Sequence, residues 1–125
     1  VKRFLLLLIV LTTFLVAGCL QVKTYSDEGQ GIDTGLNQQF VIALGSNPGS
    51  TGYSWQASYD ETMLELVGGK STYKEPKSGL VGAGGIEYFR FKALKIGRTA
   101  VTLVYKQPWE GGGIGETKIF AVHIR

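Results

Sequence analysis

Residues able to do chemistry are scarce in this chain. It holds one cysteine, Cys19, and one histidine, His123. A lone cysteine cannot close an internal disulfide, so packing alone must hold the fold together. Nucleophilic catalysis needs a base beside its nucleophile, and nothing places His123 near a serine or Cys19. A metal site would want a second histidine, a cysteine pair or a dense carboxylate loop, and none is present. The ten acids are scattered. Glu87 and Glu110 can be imagined as a glycosidase pair, but no motif joins them. The glycine runs at 82–85 and 111–113 lead into alternating segments rather than helices, and neither carries Gly-Lys-Ser/Thr, so they are not phosphate loops. No cofactor, no metal and no enzymatic activity are expected.

Long apolar runs are also missing beyond the first 18 residues. Residues 4–16 are apolar except for Thr12 and Thr13, and they follow Lys2 and Arg3. That run is shorter than the ~20 residues a spanning helix needs, and it has the layout of a secretory signal. Leu15, Val16, Ala17, Gly18 and Cys19 resemble the lipobox of prokaryotic lipoproteins, which implies that Cys19 carries lipid. Residues 1–18 are therefore expected to be a lipoprotein-type signal peptide. Residues 19–35 would be the attachment cysteine and a polar tether, with at most a short strand near 22–25, and residues 36–125 one domain. The protein is expected outside the cell membrane or in the periplasm, held through Cys19. Loss of Lys2 and Arg3 with the signal lowers the net charge from +3 to +1. No Lys/Arg cluster remains, so nucleic acid is not an expected partner.

What the chain has in quantity is glycine, 18 residues, and alternation. Apolar residues recur at every second position over 39–44, 53–57, 64–67, 71–74, 86–94, 99–105 and 117–124, with no sustained helical period. Phe89, Phe91 and Ala93 would face a core while Tyr88, Arg90 and Lys92 face water. Residues 60–63 suit one helical turn at most. Seven or eight short strands in such a domain predict an all-β, immunoglobulin-like sandwich without a disulfide, with a small β-barrel as the alternative.

Three connections stand out. The first is Asn47, Pro48, Gly49, Ser50, Thr51, Gly52 and Tyr53, leading to Trp55. Pro48 disfavours the α region for Asn47, and Gly49 and Gly52 can take positive φ. The second carries Leu80, Val81, Gly82, Gly84 and Gly85. The third opens on Gln107, Pro108 and Trp109 and runs on through glycines. Trp109, next to a proline at a loop start, suits an exposed interface anchor better than a lid over the sandwich end, whereas Trp55 falls on an inward strand position.

Asn47-Pro48 through Thr51-Gly52-Tyr53, then Gly82-Ala83-Gly84-Gly85, then Pro108-Trp109, in that order, resemble the loop motifs of the chagasin family of cysteine-protease inhibitors. The resemblance spans about 36–125. It implies a monomeric, reversible, tight-binding inhibitor of papain-like cysteine proteases. Thr51 and Gly52 would lie over the protease nucleophile, the glycines of the second loop would approach one flank of the cleft, and Trp109 would pack on the other. Two positions depart from the family pattern. Gly49-Ser50 stands where the family has one residue, and Gln107 stands where it has arginine. The alternative is a non-inhibitory surface lipoprotein whose loop tips hold a glycan, peptide or protein.

Overall fold

Strand alternation becomes two stacked sheets. A computed structural model describes residues 21–75 and 84–125. Among the described residues there are nine strands: β1 Lys23–Tyr25, β2 Ile32–Thr34, β3 Gln39–Ser46, β4 Ser54–Tyr59, β5 Leu64–Leu66, β6 Thr72–Lys74, β7 Gly85–Ala93, β8 Gly97–Lys106 and β9 Ile114–Ile124. A single helical turn, α1 Pro48–Thr51, joins β3 to β4. One sheet has the order β1-β3-β7-β5, with β6 sharing the β7 edge beyond β5; the other has the order β2-β9-β8-β4. The long pairings β3–β7, β4–β8 and β8–β9 are antiparallel, while the outer strands β1 and β2 join in parallel. The fold is an immunoglobulin-like β-sandwich, as the alternation predicts, and Cys19 lies outside the described residues.

The core follows the two-residue period. Phe40, Ile42 and Leu44 of β3 meet Phe89, Phe91 and Ala93 of β7 on one inner face, and Trp55, Val101, Leu103, Phe120, Val122 and Ile124 supply the other. Phe40 and Phe91 stack with centroids 5.6 Å apart. Tyr88, Arg90 and Lys92 point away from this core, in phase with the exposed side of β7. At the end remote from α1 the sheets are tied by backbone: the Leu36 and Asn37 amides donate to the carbonyls of Arg125 and Ala93 at 3.0 and 2.8 Å. The turn after β4 is closed by the Met63 and Leu64 amides on the Asp60 carbonyl.

The tether expected over 19–35 needs correction. From residue 23 onward that stretch belongs to the sandwich: β1 lies along β3, and β2 lies along β9 with Ile32 and Thr34 buried. Three-residue strands are too short to display a period, and their hydrogen bonds come from partners distant in sequence. Ile32 is 2% exposed and packs with the core cluster. Ile32→Ala is therefore expected to cost about 2–4 kcal/mol in urea unfolding. A loss under ~0.5 kcal/mol, within the range of ordinary surface changes, would return the segment to the status of a tether.

Candidate functional site

The β3–β4 connection is shaped by its own residues. Asn47 has φ −139° and ψ 64°, outside the helical region, as a residue before proline prefers. Pro48 then starts α1, where its missing N–H costs nothing. The Asn47 carbonyl receives both the Thr51 amide at 3.1 Å and the Thr51 hydroxyl at 2.6 Å, and the Gly52 amide donates to the Pro48 carbonyl at 2.9 Å. These are i to i+4 closures. With Gly49 and Ser50 both present, Asn47 and Thr51 have the spacing one α-turn requires. Gly49 and Ser50 are thus both taken up in a closed helical turn. Gly49, Ser50 and Thr51 are exposed at its tip.

Two neighbours grip this turn. Gly52 has φ +74°, and the Trp109 indole packs against its Cα so closely that a Cβ there would overlap the ring. Glycine is required on both counts. Trp109 nonetheless remains 55% exposed, whereas Trp55 is 5% exposed in the core. Gln107 makes a second tie. Its Nε2 donates to the Thr51 carbonyl at 3.2 Å, while its Oε1 accepts from the Gly113 amide at 2.9 Å and its own amide donates to the Gly113 carbonyl at 3.0 Å. One neutral side chain therefore closes the third loop on itself and binds it to the first. Pro108 is exposed between these two anchors.

The second loop reaches the first through its last residues. A Cβ on Gly84 would stand 3.2 Å from the Ser46 carbonyl oxygen and 3.6 Å from the Asn47 Cβ. Gly85 is buried at the start of β7 beside the Lys74 carbonyl and the Tyr73 hydroxyl. Leu80, Val81 and Gly82 lie outside the described residues. Tyr53, counted above with the presented residues, is half-buried: its ring stacks on Tyr105 at 5.3 Å and its hydroxyl occupies the space a Gly113 side chain would need. It props the first loop against the third.

Beneath the loops sits a buried carboxyl group. Glu87 is 3% exposed. Its Oε1 accepts from the Ser46 hydroxyl at 2.6 Å and the Trp55 amide at 3.0 Å, and its Oε2 from the Ser71 hydroxyl at 3.3 Å. Ser46 ends the strand entering the first loop and Trp55 lies in the strand leaving it, so one side chain clasps both stems across the two sheets. The Trp55 indole N–H adds a bond to the Gly45 carbonyl at 2.8 Å, and the Asn47 amide donates to the Tyr105 hydroxyl at 3.0 Å. Glu110 is exposed on the third loop and shares no contact with this arrangement. The sequence held a signal for Glu87: it is in phase with Phe89, Phe91 and Ala93, which places a carboxyl indoors.

The profile described as "Chagasin family peptidase inhibitor I42" matches residues 34–124. The chain is 30% identical over 111 residues to Amoebiasin-2 of Entamoeba histolytica, covering 89% of this chain and 88% of that protein. It is 31% identical over 108 residues to chagasin of Trypanosoma cruzi, covering 82% of this chain and 94% of that one. The crystal structure of the Entamoeba histolytica cysteine protease inhibitor EhICP2 superposes with a TM-score of 0.66 at 33% identity, covering 84% of this chain and 98% of that one.

The clasp has a measurable consequence. Glu87→Ala leaves the Trp55 amide and the Ser46 hydroxyl without their partner in the interior, a loss of about 1–3 kcal/mol for each. Glu87→Gln offers a carbonyl oxygen to the same two donors and an amide to the Ser71 hydroxyl, and should cost about 1 kcal/mol. Unfolding in urea separates the two; an alanine variant as stable as the glutamine variant would show that the clasp contributes little.

Proposed function

The chain belongs to the chagasin family of peptidase inhibitors, and from that premise we propose that it inhibits papain-like cysteine proteases reversibly, by filling the active-site cleft with the edge built from its three loops. The family is one of inhibitors, not enzymes. One observation supports this use of the edge above the others: the first loop is flanked by Gly84 at Ser46 and Asn47 and by Gln107 and Trp109 at Thr51 and Gly52, and Trp109 is left over half exposed at its side. An extended loop entering a protease cleft would lose much of its binding free energy to ordering. A turn already closed by hydrogen bonds and flanked by fixed neighbours avoids most of that cost.

In this reading Thr51 and Gly52 approach the protease nucleophile, with Pro48 and the Asn47 carbonyl fixing the turn. Gly49 and Ser50 form the tip, exposed Gly84 brings backbone close on one flank with buried Gly85 seating it behind, and Trp109 supplies the large apolar contact on the other. An interface of the usual protease–inhibitor size, ~1,600 Å² in total, suits the width of three adjacent loops. Gln107, lacking the charge of arginine, acts through the loops it joins rather than through an ion pair with the protease. In this reading one copy of the chain suffices, since the ties described in the edge are all intramolecular.

We also propose that the mature protein is attached to the outer side of a membrane through lipid on Cys19. The support is the Leu15–Gly18 sequence before that cysteine. Residues 1–20 lie outside those described.

Titration of papain with the purified chain tests the first proposal: stoichiometric loss of activity is expected, and full activity at micromolar inhibitor would refute it. Trp109→Ala should weaken inhibition at least tenfold, in line with the ~2–4 kcal/mol such anchors carry, with the melting temperature little changed. Unfolding by that substitution would instead make Trp109 a structural residue. For the second proposal, Cys19→Ser should move the protein from the membrane fraction to the soluble fraction of the expressing cell, and an unchanged distribution would rule out the lipid anchor.

A further inference from the structure

A second surface lies on the outer face of the five-stranded sheet, with Lys74 at the end that adjoins the second loop. Arg90 and Tyr88 project from β7 on the side opposite the core, with Val41 of β3 paired to Arg90 and Thr72 of β6 paired to Tyr88. Together with Lys70 and Lys74 they line a groove of about 430 Å³, floored by Val41 and Val67. Its size falls within the ~300–1,000 Å³ of small-ligand sites.

The charge in this groove is of one sign. The described residues carry equal numbers of acidic and basic side chains, yet the groove draws three cations and no carboxyl group. None of the three lies within 4 Å of a carboxylate among the described residues. Arg90 is instead steadied by a neutral partner, donating to the Gln39 Oε1 at 3.0 Å. Lys92, further along β7, is paired in register with Glu65 and lies outside the groove. Local concentration of positive charge on a neutral background calls for a local anion rather than long-range steering.

The remaining lining narrows the ligand. Nucleic acid would need a wider basic footprint than three side chains. A bilayer surface would need several protruding apolar anchors, but Val41 is recessed at 7% exposure and Ile86, in phase with Tyr88, is the one exposed large apolar side chain on this face of β7. A simple inorganic anion would leave most of the volume empty. Tyr88 offers an aromatic face with a hydroxyl, Thr72 a second hydroxyl, and the two valines a small apolar floor. That combination suits a pyranose ring, whose C–H face packs on an aromatic while its hydroxyls and acidic substituents take the polar groups. We infer that this groove binds a segment of an acidic polysaccharide, sulfated or uronate-bearing, independently of the inhibitory edge.

Calorimetric titration of the full-length chain with a heparin-derived hexasaccharide tests this, with its fully desulfated and uronate-reduced counterpart, sodium sulfate and phosphatidylserine vesicles as comparisons. The acidic hexasaccharide should bind, more weakly as salt rises, and at least tenfold better than any of the other three. The combined variant Lys70→Gln, Lys74→Gln, Arg90→Gln should lose at least tenfold in affinity with its melting temperature and its effect on papain unchanged. A control variant, Lys95→Gln with Arg98→Gln, should bind like the parent. The inference is overturned if the hexasaccharide fails to bind or if the neutral sugar, the sulfate or the vesicles bind as well. Equal loss in the control, or none in the groove variant, overturns it too.

Discussion

The loop-bearing end of this sandwich depends on one buried carboxyl group. Glu87 reaches from β7 to the strand before the first loop, through the Ser46 hydroxyl, and to the strand after it, through the Trp55 amide. A polar group in an apolar interior is costly unless its hydrogen bonds are made. Here three donors meet it, and the same bonds that make its burial tolerable fix the spacing of the two stems. Apolar contacts could hold the sheets together at many small offsets. Directional bonds to a single carboxyl allow far fewer, and the loop inherits that definition.

Above the clasp, rigidity comes from small closures rather than from covalent links. α1 is one turn, too short to persist alone. It is closed internally by the Asn47 and Pro48 carbonyls, capped sideways by Trp109 on Gly52, and tied by Gln107 to the third loop. The column of Trp55, Tyr105 and Tyr53 carries this order upward from the core, with ring centroids 4.9 and 5.3 Å apart. The result is a preformed edge in which the apolar anchor and the polar turn belong to one unit. A protein without disulfides thereby presents loops of fixed shape.

Much of this was legible in the chain. The alternation of Phe89, Phe91 and Ala93 against Tyr88, Arg90 and Lys92 named the core and solvent faces of β7; the same rule put Trp55 inside, while the proline before Trp109 marked that one as a loop residue. The residues of the first loop were legible as turn formers, although not as a helical turn. β2 was not legible: Ile32, Asp33 and Thr34 form too short a run, and the strand exists because β9 lies beside it. Gln107 could be read as a loss of charge, but its bonds to Thr51 and Gly113 depend on where the chain has folded back.

Periodicity and residue type act over a few neighbouring positions, so the sequence alone determined which segments are strands, which faces are apolar and where the backbone must turn. It also determined that no disulfide could help. Which distant groups meet was decided only by tertiary structure. Glu87 finds Ser46 and Trp55, and Trp109 settles on Gly52, because β3, β7, β4 and β8 stack in one register. A hydrogen bond tolerates only a few tenths of an ångström, and no local pattern specifies position that finely across two sheets.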